Sequence, residues 1–211
     1  MSVIALPLAL VRCSVEMTAQ AAMMSQPGER KPAPGALALV QAFVNTVDLE
    51  EGREALVSPE ALRDRLVRCA LLEPTATLTE SDLDHALLVR EALRDLLLVN
   101  SGGAPGAAAV ATLNAAGAAS PLLFRLDDGL QATAVPGSAG LNGALARLFA
   151  IILAAQVDGT WQRLKVCQND ICRWAFYDAS KNQSGHWCTM AICGSRRKTR
   201  AYRARRRETG E

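Results

Sequence analysis

Four of the six cysteines form two pairs with equal spacing. Cys167 and Cys172 enclose four residues, Cys188 and Cys193 also enclose four, and fifteen residues separate the two pairs. A structural zinc ion needs four soft ligands in a tetrahedron, and two tight turns that each present two thiolates supply them. The spacing therefore predicts one structural zinc ion per chain. The alternatives are two disulfides, which require an oxidising compartment, or four unrelated thiols.

A dense run of basic residues follows the last cysteine. If this segment is helical, four of its arginines lie on one side of the helix, and further cations widen the charge around it. Guanidinium groups pair with phosphates and with guanine edges, and a helix fits the DNA major groove. We therefore predict nucleic-acid binding by Arg196, Arg197, Lys198, Arg200, Arg203 and Arg207. The alternatives are a solvated basic tail, an acidic protein partner or an anionic membrane.

The charge of the chain is divided unequally between its two parts. From Trp161 to Glu211 there are twelve Lys or Arg and four Asp or Glu, a net charge of +8, and the remaining residues carry −6. This split indicates that one segment meets a polyanion and the other does not. The chain has only two His and no nucleophile–base signature or phosphate loop, and a zinc ion with four thiolate ligands has no position for a substrate. We therefore expect a protein that is not an enzyme.

The elements that position these residues can be placed from periodicity and capping signals. We predict helices over 36–47, from Ser58-Pro59-Glu60 to about Leu72, from Thr79 to about Val99, over 107–118 and over 141–156. Asp127-Asp128-Gly129 indicates a β-hairpin between strands 122–126 and 130–135. Further strands are expected over 161–166 and 173–178, followed by a helix from Cys188 to about Arg207. The predicted fold class is α+β: a mainly helical N-terminal domain with a small β-hairpin, then a treble-clef-like zinc finger.

Three segments follow from this assignment. Residues 1–35 are expected to be a disordered leader and linker, 36–158 a folded domain, and 161–211 the zinc finger with its basic helix. The apolar start of the chain lacks a basic n-region, so we do not expect a signal peptide. We expect no membrane span, because no apolar run reaches the roughly 18 residues required. Zinc thiolates need reduced cysteine, which favours a cytoplasmic location.

One residue interrupts the apolar stripe of the longest predicted helix. Leu83, Ala86, Leu87, Leu93 and Leu97 form the stripe, and Arg90 lies within it. A buried guanidinium needs a partner, so Arg90 is expected to be buried or to line a polar pocket. The partner is either a carboxylate or main-chain carbonyls near Asn45 or Asp48, or a small anionic effector bound at Arg90 and Asn45.

The residues around the cysteines resemble a known family. The segment Trp174-Ala-Phe-Tyr-Asp-Ala-Ser and the run Cys193-Gly194-Ser195-Arg196 are similar to the CGNR-type zinc finger, with Ser195 in place of the Asn of the family's name. Such fingers follow an N-terminal ABATE domain, to which Phe43–Asp48, Ser58–Leu62 and Leu88–Leu93 are more loosely similar. The resemblance implies a bacterial, stress-induced transcription regulator with a DNA-binding tail. The alternative is a zinc-stabilised protein-interaction module that does not bind DNA directly. Neither the DNA target, the direction of regulation nor the oligomeric state follows from the sequence.

Overall fold

A computed structural model describes residues 32–195 of the chain. The first three helices are α1 (Leu37–Val44), α2 (Pro59–Arg68) and α3 (Glu80–Asn100). Between α1 and α2 lies a two-residue antiparallel strand pair, β1 (Val47–Asp48) and β2 (Arg53–Glu54). This pair was not predicted from the sequence, because two-residue strands are too short to show an alternating pattern.

The starts of α2 and α3 follow their capping signals. The Ser58 hydroxyl accepts a hydrogen bond from the amide of Ala61 at 3.2 Å, ahead of Pro59 at the first helical position. Thr79 and Asp82 form a reciprocal capping box at the start of α3. Helix α2 ends before the predicted position near Leu72, because Ala70 has a left-handed backbone (φ 53°) that turns Leu71 and Leu72 into the core.

The second half of the N-terminal region contains α4 (Ala107–Ala119), the hairpin β3 (Leu122–Leu126) and β4 (Ala132–Pro136), and α5 (Gly140–Val157). The expectation that no stretch was long and apolar enough to span a membrane was wrong, because α5 has 18 residues with a mean hydropathy of 1.5. More than half of α5 is buried inside the protein, where it packs against α1, α4 and β4. It is therefore the core helix, as predicted from its apolar composition.

The C-terminal region begins with a single 3₁₀ turn, Trp161–Arg163, where a strand was predicted. Strand β5 (Leu164–Val166) then pairs antiparallel with β6 (Ala175–Tyr177), in a register that places Lys165 opposite Phe176. A π-helical turn, Met190–Gly194, follows at the second cysteine pair. The region is thus a four-cysteine cluster with a hairpin, which is a zinc-finger-like arrangement.

The β5–β6 hairpin shares the hydrophobic core of the N-terminal region. Trp161, Leu164, Val166 and Ala175 are buried in the same cluster as side chains of α1, α3 and α5. The four cysteines form a second, smaller cluster with Trp174 and Phe176. The division at residues 158 and 161 therefore remains a prediction from the sequence, and apolar contacts cross it.

Candidate metal centre and nucleic-acid interface

The two predicted cysteine pairs meet at one point. The Sγ atoms of Cys167, Cys172, Cys188 and Cys193 all lie within 4.8 Å of one another, and all four residues are buried. The Cys172–Cys188 and Cys188–Cys193 Sγ distances are both 3.7 Å. A zinc–sulfur bond of about 2.3 Å gives a tetrahedron whose edges are about 3.8 Å. The four thiols therefore have the separation that a tetrahedral zinc ion requires, and they form a zinc site.

Cys167 and Cys172 lie in a turn that is stabilised by backbone hydrogen bonds at both of its ends. The Cys167 amide donates to the Trp174 carbonyl at 2.9 Å, which joins the turn to the hairpin. The Asn169 carbonyl accepts from the amides of Cys172 at 2.8 Å and Arg173 at 3.0 Å. Arg173 has a left-handed backbone (φ 43°), which returns the chain into β6. The turn therefore presents both thiols to the same side.

The second pair is held by the π-helical turn. Thr189 precedes it, and its hydroxyl accepts a hydrogen bond from the amide of Ile192 at 3.2 Å. Gly194 packs against Met190 so closely that an added Cβ atom would lie 2.9 Å from the Met190 sulfur. The Ser195 hydroxyl, which stands where the family name has Asn, donates to the Met190 carbonyl at 3.2 Å. Ser195 thus closes the turn through a main-chain carbonyl.

The thiols depend on a cation for their ionisation. Hydrogen bonds with Cys167 and Cys188, together with burial, raise the pKa of the Cys172 thiol far above its usual range. The Asn169 side-chain amide lies 3.6 Å from the Cys193 sulfur and is positioned to donate to it. A bound zinc ion supplies the positive charge that keeps such thiols deprotonated. Four thiolates around one Zn²⁺ would leave a centre with a charge of −2.

A buried ion pair supports the hairpin on the face that it shares with Phe176. Lys165 donates to Asp178 at 2.8 Å, and Asp178 also accepts from the Ser180 hydroxyl at 2.6 Å and the Gly185 amide at 2.7 Å. Burial opposes ionisation of Asp178, but the hydrogen bonds outweigh it and hold the pKa of this carboxyl well below its usual range. Lys165 additionally donates to the Gln183 carbonyl. The pair therefore joins β5 to the loop between the two cysteine pairs.

The end of α3 holds the first strand of the finger. The Asn100 side-chain amide donates to the carbonyls of Trp161 at 2.9 Å and Leu164 at 2.8 Å. The Ser101 hydroxyl donates to the Val166 carbonyl at 2.8 Å and accepts from the Val166 amide at 3.1 Å. The Ser101 side chain thus satisfies both main-chain groups of Val166, which a neighbouring strand would otherwise do. The cysteine turn that follows β5 is thereby fixed relative to α3.

One turn earlier on α3, Arg94 and Asp95 form further hydrogen bonds with the finger. Arg94 is buried and donates to the Arg173 carbonyl at 2.9 Å, next to the ligand Cys172, and also to the Val44 carbonyl of α1. Arg173 in turn donates to the Asp95 carboxylate at 3.1 Å. Sequence reasoning missed Arg94, although it lies in the same apolar stripe as Arg90, one helical turn later, and is equally buried.

Asn45, a candidate for effector binding, contacts the finger. Its side-chain amide donates to the Ala175 carbonyl at 2.8 Å, and its side-chain carbonyl accepts from the Ala175 amide at 2.8 Å. Gln41, one turn earlier, donates to the same carbonyl at 3.2 Å. These contacts occupy the outer edge of β6. Asn45 therefore positions the zinc finger in this structure.

Arg90 is 5% exposed, as its place in the apolar stripe predicted. It donates to Glu54 and Glu91, both at 2.7 Å, and to the Thr46 hydroxyl at 3.1 Å. The carboxylate partner that the sequence analysis considered is thus present, in β2 and on α3 itself. An anionic effector at Arg90 and Asn45 stays a prediction, and these contacts lend it no support.

The predicted nucleic-acid-binding residues begin where the described part of the chain ends. Arg196, Arg197, Lys198, Arg200, Arg203 and Arg207 lie outside residues 32–195. The last described residue, Ser195, has helical backbone angles (φ −66°, ψ −41°). The π-helical turn that carries Cys193 therefore leads directly into the basic segment.

Comparison with known families gives two matches that together span most of the chain. Residues 35–157 match ABATE, described as "Putative stress-induced transcription regulator". The chain belongs to the ABATE family. Residues 163–206 match the CGNR zinc finger, which contains all four cysteines of the zinc site. Both resemblances proposed from the sequence are thereby confirmed. Among curated proteins, nothing matches this ABATE chain.

The ABATE match places a transcription-regulator region in front of the finger. Residues of both matched segments contact each other, among them Asn45 and Arg94 in the ABATE segment and Arg173 and Ala175 in the CGNR segment. The two families are therefore joined in this chain by hydrogen bonds between buried groups as well as by the short connection after α5.

Proposed function

We propose that this protein is a DNA-binding transcription regulator in which the zinc site orients a basic segment toward the phosphates. The observation that carries the proposal is the short separation in the chain between the last zinc ligand and the first residue of the basic segment. Cys193 is a zinc ligand, and three residues later Arg196 opens a stretch of twelve residues with eight Lys or Arg and no acid. A ligand held by the metal fixes the point in the chain from which this stretch begins.

The charge of the remaining chain supports this orientation. Residues 32–195 carry twelve Lys or Arg and seventeen Asp or Glu, a net charge of −5. A polyanion is repelled by this part and attracted by the basic segment, so it can approach productively from one side only. We assign phosphate and base contacts to Arg196, Arg197, Lys198, Arg200, Arg203 and Arg207. A reducing cytoplasm, where DNA and zinc thiolates coexist, is the location that fits this function.

One observation favours a second candidate, a protein-interaction module. The turns between the paired cysteines expose apolar side chains: Ile171 is 47% exposed, Met190 60% and Ile192 37%. Apolar groups at a finger's surface can contact a protein partner. The closed tetrathiolate site leaves no position for a substrate in either case, so we propose no enzymatic activity.

The test is a salt titration of DNA binding. Each phosphate contact releases counterions, so the slope of log affinity against log salt is about −0.9 per contact. With about four contacts, raising salt from about 50 to about 200 mM weakens binding by roughly two orders of magnitude. Replacing Arg196, Arg200, Arg203 and Arg207 with Ala should remove most of the affinity and flatten the slope.

A charge-matched variant separates this result from a general effect of net charge. Arg53, Arg68, Arg125 and Lys181 are all exposed, and their replacement with Ala removes the same four charges elsewhere. This control should keep the wild-type slope. If the two variants behave alike, the basic segment makes no special contact with DNA, and the protein-interaction module becomes the better account.

A further inference from the structure

The ABATE region contains a cavity that neither the zinc site nor the proposed DNA contacts use. It lies between α3, α4 and α5, at the start of β3, and has a volume of about 310 Å³. Leu93, Leu113, Phe149 and Ile152 line it, and the lining side chains within the described residues include no charged group. An engineered apolar cavity of about 150 Å³ admits benzene. This cavity therefore has room for about two fused rings.

One residue that lines the cavity, Ser120, has a hydroxyl without a hydrogen-bond partner among the described residues. Ser120 is 3% exposed and ends α4 at the cavity. Its hydroxyl oxygen is buried and makes no hydrogen bond to any residue in 32–195. A buried hydroxyl without a partner costs free energy, and structures keep such groups where something else satisfies them. A hydroxyl can both donate and accept, so it suits one alcohol, phenol or carbonyl group of a ligand.

We propose that this cavity is a binding site for a small, uncharged, mostly hydrocarbon molecule with a single hydrogen-bonding group, which pairs with Ser120. Apolar walls and one orienting polar group are the usual composition of small-molecule sites. A charged ligand is disfavoured, because the walls offer no opposite charge to offset its desolvation. The site differs from the anionic effector site predicted at Arg90 and Asn45, which do not line it.

The position of the cavity links it to the finger. Leu93 and Leu96 of α3 line the cavity, and the adjacent Arg94 and Asp95 hold Arg173 of the first cysteine turn. One turn of α3 thus has the cavity on one side and the zinc finger on the other. The binding proposal itself does not depend on DNA binding, and the two can fail separately.

The test uses 2-naphthol as the probe, titrated calorimetrically into the full-length, zinc-loaded protein. We expect saturable binding of one molecule per chain. Gly117 lines the cavity, and a Cβ atom added there meets no heavy atom within 4 Å, so Gly117→Leu should fill the cavity without a clash. Leu also favours the helix over Gly, so the variant should fold. It should weaken 2-naphthol binding at least tenfold, whereas Ala115→Leu, at an exposed position of the same helix, should leave it unchanged.

Ser120→Ala tests the hydrogen bond separately. It should weaken binding of 2-naphthol about tenfold, the worth of one hydrogen bond. It should leave binding of naphthalene, which has no polar group, unchanged. The proposal is overturned if 2-naphthol shows no saturable binding, or if Gly117→Leu binds it as wild type does. Equal affinity for naphthalene-2-sulfonate would overturn the assignment of an uncharged ligand.

Discussion

Among residues 32–195, three cationic side chains are almost completely enclosed by the protein, and each contacts a carboxylate. Arg90 meets Glu54 and Glu91, Arg94 meets Glu91, and Lys165 meets Asp178. Removing one partner of a buried ion pair leaves the other charge uncompensated, which costs more than the pair contributes by its presence. These residues are therefore where single substitutions should have the largest effect outside the zinc ligands.

Asp178→Asn removes the carboxylate and leaves the Lys165 ammonium buried without a counter-charge. We expect the free energy of unfolding to fall by about 3–5 kcal/mol. Urea unfolding of the zinc-loaded protein measures it, with Asp128→Asn in an exposed turn as the control. A loss below about 1 kcal/mol would show that Lys165 is satisfied by the Gln183 and Gly185 carbonyls alone.

The same pair predicts a dependence on pH. The pKa of Asp178 is lower in the folded protein than in the unfolded chain, where an Asp titrates near 3.9. Its contribution to stability is therefore complete above about pH 4 and is lost as the pH falls further toward the folded-state pKa. The difference in unfolding free energy between wild type and Asp178→Asn should be constant from about pH 5 to 7 and shrink below about pH 4. A difference that grows on acidification would contradict the ion pair.

Arg90→Met replaces a guanidinium that joins α3 to β2 with an apolar chain of similar length. We expect a loss of about 1–3 kcal/mol, because Glu54 and Glu91 are partly exposed and recover hydration. Zinc content should not change. Arg53→Met, at a side chain that is 70% exposed, should stay within about 0.5 kcal/mol of wild type. Equal effects of the two substitutions would mean that burial of Arg90 has no energetic consequence.

At the scale of elements, one contact between the two matched families is the pair of hydrogen bonds between Asn45 and Ala175. Asn45→Leu would leave the amide of Ala175 without its side-chain acceptor at a buried position. An unsatisfied buried group costs about 1–3 kcal/mol, so exchange of the Ala175 amide hydrogen should accelerate about tenfold or more. Hydrogen–deuterium exchange measures this, and Asn114→Leu, at an exposed position on α4, is the control. Unchanged protection at Ala175 would show that β5 pairing alone holds β6.

Much of this architecture follows from local sequence signals. The capping residues Ser58 and Thr79 marked the starts of α2 and α3, and Asp127-Asp128-Gly129 marked the β3–β4 turn, because each signal acts within four residues. The paired cysteines located the zinc site, because each pair lies within six residues of the chain.

What the sequence did not reveal depends on contacts between distant segments. Asn45 contacts Ala175, 130 residues away, and no local pattern in the sequence indicates this contact. Arg94 and Ser101 donate hydrogen bonds to main-chain carbonyls of the finger. The positions of main-chain groups cannot be predicted from residue types. The early end of α2 depends on how Leu71 and Leu72 enter the core. Helical periodicity identifies an apolar face, but not which neighbour covers it.

At the scale of the whole molecule, the zinc site and the ABATE core form one structure. The hairpin that carries the first cysteine turn contributes three buried side chains to the main core, and the preceding 3₁₀ turn contributes Trp161, so loss of zinc should destabilise more than the finger. Cys188→Ser should lose the single zinc ion measured by elemental analysis and lower the urea midpoint of the whole chain in one transition. Cys69→Ser, at a buried thiol outside the cluster, should retain zinc. Zinc retained in Cys188→Ser would refute the four-cysteine site.

Charge separates the molecule into an acidic body and a basic end joined at Cys193. We expect that zinc orients this end so that the protein binds particular DNA sequences. To measure this, sheared genomic DNA is captured by the purified full-length protein at about 150 mM salt and sequenced, beside Cys188→Ser and the Arg196, Arg200, Arg203, Arg207→Ala variant. We predict enrichment of a shared sequence by wild type only. Recovery of all sequences in equal proportion, or the same enrichment by the zinc-free variant, would contradict this expectation.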